Sequence, residues 1–380
     1  MQEALIEKLE RGHPDNIIFD FDSYTKNSYM THNFHPYPAK FIPQIPKELI
    51  LKLSDKNEWI LDPFCGSGTT LVEAKLNQRN AIGVDINPLS CLISKVKTTK
   101  LSTSQIMQIK EVCNRIHDDI SNGKVYEMPS YKNIDLWFEK DAKESLSVIK
   151  HHIDSCRDED VKNFLSVCFS AILVRLSNQD SDTRYVSVKK NISKEIAWTM
   201  FSKRIQDMLK RVEQFGKLSA NTQVEIHHAD SRTLDFINKK VDLVVTSPPY
   251  PNSYDYYLYH KHRMLWLSLD YKTAQDLEFG SRNKHNDKNE GIGSYISAMN
   301  DVVNSVSKKL KRKGYFCIVV GDGIIKGKLI KMDGLMDKIF TENGFKKIRQ
   351  IEFNQRKYTR TFTKNMKTQK KSSYVLIYQN

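Results

Sequence analysis

The 380-residue chain is long enough to bury one large hydrophobic core and to carry an insertion or a second domain. Its 39% hydrophobic and 27% charged residues are typical of a globular protein, and its formal charge of +14 favours a polyanionic partner such as nucleic acid. It has neither an apolar run of about 18 residues nor a signal-peptide pattern, so we expect a cytoplasmic protein rather than a membrane or secreted one.

The positive charge is distributed unevenly. Residues 301–380 carry 19 Lys and Arg against 6 Asp and Glu, whereas residues 101–220 carry 19 against 17. A basic carboxyl-terminal segment suits a nucleic-acid partner, although a lysine-rich solvated surface explains the same excess equally well. The six cysteines show no paired CxxC spacing, so we expect reduced thiols and no metal site.

The first hundred residues predict an α/β unit. Residues 1–34 indicate a short helix followed by a polar arm, and the proline-punctuated stretch 35–54 enters a helix near Pro46. A strand, a glycine loop, a helix and a second strand then follow within 57–88. Such a βαβ unit with short connections favours a parallel sheet.

The middle of the chain predicts helices, and the α/β alternation resumes after it. Apolar residues recur every three or four positions across 101–220, with one possible short strand at "RYVSV" (184–188). The later predicted elements are strands at 223–230, 240–250, 315–322, 346–355 and 373–380, and helices at 332–344 and at 293–314, the latter ending at Gly314. We therefore predict an α/β fold in which residues 35–100 and 221–380 form one sheet, interrupted by a helical insertion at 101–220.

The glycine loop and three acidic residues predict a ligand site. In "LDPFCGSGTTLVEA", Gly66 and Gly68 separate a strand from a helix, where the backbone can approach a ligand closely. The loop matches neither the dinucleotide nor the P-loop pattern. Asp62, Asp85 and Asp230 end three predicted strands and so surround one crevice, although each taken singly also suits a helix cap. These carboxylates would repel a pyrophosphate and suit a cationic nucleoside such as a sulfonium.

A second unusual segment lies where the strand "VDLVV" enters Thr246-Ser247-Pro248-Pro249-Tyr250. Two consecutive prolines remove two backbone donors and fix their own φ angles. The simple interpretation is a strand that ends in a rigid turn, because Ser-Pro commonly begins turns. Its position after a buried strand, with a glycine loop upstream, favours a functional interpretation.

Both segments resemble known motifs. "DPFCGSGTT" resembles the S-adenosylmethionine motif of amino-methylating DNA methyltransferases, D-P-F-x-G-x-G-T, and "TSPPY" resembles their catalytic motif, [DNS]-P-P-[YFW]. "HPYPAKFIPQIP" (35–46), "GSRN" (280–283) and "VVGD" (319–322) are also similar to stretches of this family. The resemblance covers roughly 32–95 and 223–380. It implies a Rossmann-like class I methyltransferase fold, with a seven-stranded, mostly parallel sheet whose last strand is antiparallel.

The resemblance also implies roles for individual residues. Ser247 and the Pro248 carbonyl would accept hydrogen bonds from an exocyclic amino group, Pro249 would help fix that carbonyl, and Tyr250 would stack on a flipped base in DNA. S-adenosylmethionine would be the cofactor. Its predicted binding residues are Asp62, Pro63, Phe64, Gly66, Gly68, Thr69, Asp85, Asn87 and Asp230.

The serine of "TSPPY" favours cytosine N4 as the acceptor atom within this family. Adenine N6 is the nearest alternative. An RNA methyltransferase is less favoured because no RNA-binding appendage is recognisable, and a catalytically dead DNA-binding protein is less favoured because both motifs are intact. Cytosine C5 chemistry is disfavoured because the chain has no Pro-Cys pair. A cognate restriction endonuclease is a further candidate partner.

Basic and polar loops supply candidate DNA contacts. The polar loop 271–293 contains Arg282, and a plain surface loop is an equal alternative for it. The segment 356–371 is rich in lysine and arginine and has no acidic residue. Its predicted DNA contacts are Arg356, Lys357 and Arg360, and those of the insertion are Arg175, Asn178 and Arg184.

Overall fold

A computed structural model describes residues 13–24, 27–251, 254–281, 292–326, 328–353 and 371–380. The predicted helix at the beginning of the chain falls within residues 1–12, outside the described residues. The strands are β1 (Trp59–Asp62), β2 (Asn80–Asp85), β3 (Gln179–Ser181), β4 (Arg184–Ser187), β5 (Val224–His228), β6 (Val241–Thr246), β7 (Leu310–Gly321), β8 (Gly323–Ile325), β9 (Lys328–Ile330), β10 (Lys346–Phe353) and β11 (Ser373–Gln379).

The helices alternate with these strands except in the middle of the chain. They are α1 (Gln44–Leu53), α2 (Thr69–Leu76), α3 (Pro88–Thr98), α4 (Thr103–Ser121), α5 (Ile134–Trp137), α6 (Lys140–Asp154), α7 (Glu159–Leu173), α8 (Lys194–Leu218), α9 (Tyr256–Tyr259), α10 (Lys261–Trp266), α11 (Tyr271–Leu277), α12 (Ile292–Ser307) and α13 (Met332–Glu342). Two short 3-10 helices precede them, at Pro14–Asn16 and Phe21–Ser23. None of the described helices has the length and apolarity needed to cross a membrane.

The main sheet has seven strands in the order β10-β11-β7-β6-β1-β2-β5. Strands β5, β2, β1, β6 and β7 run parallel to one another, and β11 is antiparallel to both β7 and β10. The prediction of a Rossmann-like, mostly parallel sheet with an antiparallel last strand is therefore confirmed. Since β1 lies between β2 and β6, the carboxyl ends of these three strands meet at one edge.

Both faces of the sheet are covered, as their continuous apolar sequences predict. Ile60 of β1 faces one layer, which includes α1 and α2, whereas its neighbour Leu61 faces another, which includes α12 and α13. The two residues point in opposite directions because side chains alternate along a strand. This packing fixes the orientation of β1 and β6, and therefore of the residues at their carboxyl ends, Asp62 and Thr246.

The inserted helices share their core with the rest of the chain. Residues of α4, α6, α7 and α8 pack in one buried cluster with α3 and with Met264 and Trp266 of α10. The fully buried Arg263 donates a hydrogen bond from Nε to the Ser170 carbonyl of α7, at 2.9 Å. The insertion is thus packed directly against the segment that follows the "TSPPY" sequence.

Two predicted boundaries are wrong. Helix α12 ends at Ser307, and the stretch before Gly314 belongs to β7. Here β7 carries extra residues opposite β6, and a Cβ on Gly314 would lie 3.0 Å from the Asp242 carbonyl oxygen. Gly314 therefore permits close approach of two strands rather than ending a helix. The predicted loop 271–293 begins with a helix, α11.

Candidate active site

The glycine loop joins β1 to α2 with two residues in left-handed conformation. Gly66 has φ = 49° and Gly68 has φ = 78°, values that residues with a Cβ rarely adopt. A Cβ on Gly68 would lie 2.7 Å from Ser94 Oγ, whereas one on Gly66 would meet the Tyr37 ring at 3.5 Å or more. Gly68 thus permits contact between helices, and Gly66 keeps backbone exposed to the space beside it.

Asp85 at the end of β2 holds this loop in place. Its carboxylate accepts hydrogen bonds from the backbone N–H of Gly66 (2.9 Å) and of Asn87 (2.8 Å). Burial raises the pKa of Asp85 to about 6. Asn87 caps α3 by accepting a hydrogen bond from Leu89 N–H at 3.0 Å, while its own Nδ2 is buried with no hydrogen-bond partner among the described residues.

Asp62 connects the end of β1 to the end of β6. Its Oδ1 accepts hydrogen bonds from the Thr246 hydroxyl (2.6 Å) and from Phe64 N–H (3.1 Å). Burial raises the pKa of Asp62 to about 6, although these donors favour the ionised form. Because Thr246 directly precedes Ser247, this bond fixes the serine relative to the glycine loop.

Asp230 lies two residues after β5 and is paired with an arginine. Its carboxylate accepts hydrogen bonds from Arg232 Nε at 2.9 and 3.0 Å, so part of its charge is compensated. The neighbouring Ser231 hydroxyl donates to the Pro63 carbonyl, which ties the loop after β5 to the glycine loop.

These loops surround a cavity, here called the large cavity. Of the nine residues predicted to bind the cofactor, all but Gly68 line it. Its described lining is Tyr37, Ala39, Lys40, Phe41, Asp62, Pro63, Phe64, Cys65, Gly66, Ser67, Thr69, Asp85, Ile86, Asn87, Asp230, Ser231, Ser247, Pro249, Tyr256, Ala274, Leu277, Glu278 and Phe279.

A second space, the small cavity, adjoins the first and shares part of its lining. Ser247 lines both cavities, and its hydroxyl donates to the Val319 carbonyl at 3.1 Å. Burial raises the pKa of Tyr250 to about 12, and a hydrogen bond with Ser247 opposes that shift. The small cavity is lined by Ala39, Lys40, Phe41, Ile42, Ile45, Ser247, Pro248, Tyr250, Tyr256, Val319 and Phe353.

Sequence reasoning missed a pair of stacked aromatic rings in the lining of the large cavity. The Tyr37 and Tyr256 rings stack at 5.6 Å between centroids, and the Tyr37 hydroxyl is 2.8 Å from Ser90 Oγ. Lys40 lines both cavities and donates to the His35 carbonyl at 3.2 Å. Burial lowers the pKa of Lys40 to about 8. The sequence "HPYPAK" was a signal for this region, but it assigned no role to Tyr37 or Lys40.

Glu278 is a further residue that the sequence did not single out. It is buried at the wall of the large cavity, after α11. Its two carboxylate oxygens accept hydrogen bonds from the backbone N–H groups of Tyr256 (3.0 Å) and Tyr257 (3.1 Å). Burial raises its pKa to about 8. Glu278 therefore fixes the start of α9 and, with it, the Tyr256 ring.

The predicted DNA contacts have different outcomes in the structure. Arg282, Arg356, Lys357 and Arg360 lie outside the described residues. The prediction of Asn178 as a DNA contact is wrong, because this side chain is buried and its amide donates to the Leu136 carbonyl at 3.1 Å. The other two candidates of the insertion, Arg175 and Arg184, are exposed. The described residues contain no group of His, Cys, Asp or Glu side chains arranged to hold a metal ion.

The lining of the large cavity fits S-adenosylmethionine. This cofactor carries a sulfonium cation and an amino-acid tail, and the cavity is lined by four carboxyl side chains. The buried, unpartnered Nδ2 of Asn87 is a hydrogen-bond donor that a ligand would satisfy. Gly66 brings the backbone close to that space without a side chain in the way.

Comparisons with known proteins agree with this geometry. The family model described as DNA methylase, N6_N4_Mtase, matches residues 2–96 and 241–380. Type II methyltransferase M.MvaI of Kocuria varians is 29% identical over 82% of this chain and 75% of its own length. Type II methyltransferase M.MjaII of Methanocaldococcus jannaschii is 25% identical over 89% and 79%.

Among solved structures, TrmN from Thermus thermophilus aligns at a TM-score of 0.34 and 10% identity, over 89% of this chain and 48% of that one. The family match includes the glycine loop, "TSPPY" and most of the sheet. The chain therefore belongs to the N6/N4 DNA methylase family and is a DNA methyltransferase that uses S-adenosylmethionine.

Proposed function

We propose that the protein methylates the N4 amino group of cytosine within a specific DNA sequence. One observation carries the assignment of the chemistry: Ser247 lies where the two cavities meet, and its proton is committed to the Val319 carbonyl. With that proton donated, a lone pair of the oxygen would accept a hydrogen bond from an amino group in the site. An acceptor is what an amino group needs at the point of transfer.

The large cavity would hold the cofactor. Asp85 would accept hydrogen bonds from ribose hydroxyls, in keeping with its position at the end of the second strand. Asn87 Nδ2 would donate to a polar atom of the ligand, and Asp62 and Asp230 would balance its positive charge. When bound, S-adenosylmethionine supplies the electrophilic methyl group.

The small cavity would hold the flipped base. The nitrogen of an exocyclic amino group is a poor nucleophile because its lone pair is delocalised into the ring. Hydrogen bonds accepted by Ser247 Oγ and by the Pro248 carbonyl would draw the amino group toward tetrahedral geometry and free that lone pair. Pro248 and Pro249 keep the carbonyl in a fixed direction, because their φ angles are restricted. Most of the rate acceleration would then come from positioning.

The aromatic lining of the small cavity supports a planar ligand. Tyr250, Tyr256 and Phe353 surround it, and it has no carboxylate among its described residues. Tyr250 would stack on the base, since stacking on aromatic rings accepts any base face. Selection of cytosine would rest on the hydroxyl of Ser247 in place of the carboxylate or amide found in many adenine-modifying relatives.

The test is a product analysis. Purified protein is incubated with unmethylated genomic DNA and S-adenosylmethionine labelled in its methyl group, and the DNA is hydrolysed to nucleosides and chromatographed. We expect the label in N4-methyldeoxycytidine. Label found solely in N6-methyldeoxyadenosine would replace the cytosine assignment by the adenine alternative. Total cellular RNA in a parallel reaction should stay unlabelled, and labelled RNA would count against a DNA-specific enzyme.

The type II relatives suggest a biological setting. We propose that this methylation protects host DNA from a restriction endonuclease of the same specificity. The relatives M.MvaI and M.MjaII are both named type II methyltransferases. DNA modified by the purified protein should resist an endonuclease activity in extracts of the source cells, while unmodified DNA is cut. Equal cutting of both DNAs would contradict the pairing.

A further inference from the structure

The insertion carries a two-stranded antiparallel ribbon, formed by β3 and β4. Its turn contains Asp182. Along β4 and just beyond it, side chains alternate: Arg184, Val186 and Val188 are exposed, whereas Tyr185 is half-buried. The alternation is that of a strand with one face against the protein and one face free.

The inward face of the ribbon is anchored to the segment that follows "TSPPY". The buried Arg263 of α10 forms a salt bridge with Asp182. The Tyr185 ring stacks on His262, with centroids 5.2 Å apart and an interplanar angle of 17°. Because His262 and Arg263 are adjacent in α10, these two contacts hold the ribbon at a fixed place beside the active site.

The ribbon also lies near the shared wall of the two cavities. Burial lowers the pKa of Lys40, and the charge of Asp182 opposes that shift, so the ribbon's turn is within electrostatic range of Lys40. Lys40 lines both the large and the small cavity. Helix α9, which belongs to the segment that follows "TSPPY", contacts β4 directly. DNA that delivers a base to the small cavity would therefore pass close to the ribbon.

The free face of the ribbon combines apolar and cationic groups. Val186 is 45% exposed and Val188 is 47% exposed. Leu136, which is 53% exposed, is adjacent to them, because its carbonyl accepts a hydrogen bond from Ser187 Oγ. The Arg184 side chain is 67% exposed and reaches its acidic neighbour Asp180 at 3.7 Å. An exposed ion pair of this length contributes little, so the guanidinium is available to a stronger partner.

We propose that this ribbon enters the major groove beside the flipped base and reads part of the recognition sequence. The major groove accepts a two-stranded ribbon, arginine suits the O6 and N7 atoms of guanine, and apolar side chains suit the methyl group of thymine. Arg184 would make the polar contact, and Val186 and Val188 the apolar ones. The proposal rests on the proposed DNA methylation and assigns its sequence selectivity to named residues.

The family match supports this placement. It stops at residue 96 and resumes at residue 241, so the ribbon lies outside the segments that the family model matches. A second cation, Lys189, is exposed next to Val188, while the ribbon's two acidic residues are paired, Asp180 with Arg184 and Asp182 with Arg263. This charge suits a polyanion better than it suits an acidic or neutral protein surface.

The experiment compares sequence preferences of the full-length protein and of an Arg184→Ala variant. Each methylates the same unmethylated genomic DNA, and single-molecule sequencing records every methylated site and its flanking bases. We expect Arg184→Ala to lose discrimination by about 10- to 100-fold at one position of the site, with unchanged cofactor affinity by calorimetry. Val186→Glu, which places a carboxylate on the free face, should weaken binding to a duplex containing the site about 10-fold or more.

Lys110→Ala is the matched control, because it removes an exposed cation of the insertion from α4. It should leave both preference and affinity unchanged. An Arg184→Ala variant with unaltered base preference, or with a loss that is uniform over all sequences, would overturn the proposal that the ribbon reads bases. Failure of the wild-type protein to methylate DNA at any defined sequence would instead refute the proposed function itself.

Discussion

The large and small cavities meet at Ser247 but are built in different ways. Much of the large cavity is formed by the continuous loops that follow β1 and β2, and it is lined by four carboxyl side chains. The small cavity gathers residues from distant parts of the chain, including Ile42, Tyr250, Val319 and Phe353. Its described lining has no carboxyl side chain, and its charged residue, Lys40, lines the large cavity as well. One cavity is suited to a cation and the other to a neutral planar ring.

This difference suggests that cofactor and base are recognised by separate forces. Carboxylates act on a cationic ligand through charge, whereas an aromatic pocket acts through shape and stacking. Substitutions on the two sides should therefore change different kinetic constants. Substitution of Ser247 tests most directly whether cofactor and base are recognised separately, because this residue lines both cavities.

Ser247→Ala should have the largest effect. Loss of the acceptor for the target amino group is expected to lower kcat about 100- to 1000-fold, comparable to the loss of one preorganised hydrogen bond in other active sites. Cofactor affinity, measured by calorimetry, should stay within about threefold. Ser231→Ala is a matched serine of the large cavity, and it should weaken cofactor binding a few-fold while kcat is kept. A Ser247→Ala enzyme with wild-type kcat would refute the role of that hydroxyl.

Tyr250→Ala should have the next largest effect. Removal of the ring that would stack on the base should reduce kcat/KM for DNA about 10- to 100-fold, with unchanged cofactor affinity. Tyr250→Phe keeps the ring and loses only the contact with Ser247, so we expect a loss of about threefold. Steady-state kinetics with a duplex containing the site measures both. Equal losses in the Phe and Ala variants would show that the hydroxyl matters and stacking does not.

The contrast between the cavities also shows what the sequence could reveal. Asp62, Gly66 and Asp85 were predictable, because short loops at the ends of adjacent parallel strands must converge. The sheet and its antiparallel last strand followed from the apolar pattern and the family resemblance. Tyr256 and Glu278 were not predictable, because their places depend on how the segment after "TSPPY" folds back over the site.

The insertion was still harder to interpret. Its helical periodicity was evident, but the buried link between Arg263 and Asp182 joins residues 81 positions apart that share no motif. The same limit explains the error at Asn178. An asparagine in a polar stretch looks available to DNA, and only the tertiary structure shows its amide bound to the Leu136 carbonyl.

Gly68→Ala tests whether the two glycines of the loop have different roles. Gly68 is absent from the lining of the large cavity, and an added Cβ would lie 2.7 Å from Ser94 Oγ at a positive φ. We expect the free energy of unfolding to fall by about 1–3 kcal/mol, measured by denaturant titration. Unchanged stability in Gly68→Ala would show that neither strain nor the contact matters.

The smallest effect is expected from Glu278→Gln, which should remove the contribution of Glu278 to the pH dependence of stability and of cofactor affinity. Burial raises the pKa of Glu278 to about 8, so near neutral pH the folded protein holds a proton that the unfolded chain has lost. Its contribution to the free energy of unfolding should thus fall as pH rises from about 4.5 to 8. A cationic ligand favours the ionised carboxylate, so cofactor affinity should increase a few-fold over the upper part of that range.

Other ionisable groups that line the large cavity also change the cofactor affinity with pH, so the experiment must distinguish their contributions from that of Glu278. Asp62 and Asp85, with pKa values raised to about 6, should add to the increase in affinity at lower pH, and Lys40, at about 8, adds to it at higher pH. Calorimetry from pH 7 to 9 on Glu278→Gln and on Lys40→Met distinguishes the two groups that titrate there. The Gln variant should show a flatter profile. If the Gln variant keeps the full dependence of cofactor affinity on pH and the Met variant loses that dependence, the titrating group at the cofactor is Lys40. Glu278 then serves only to hold the backbone of Tyr256.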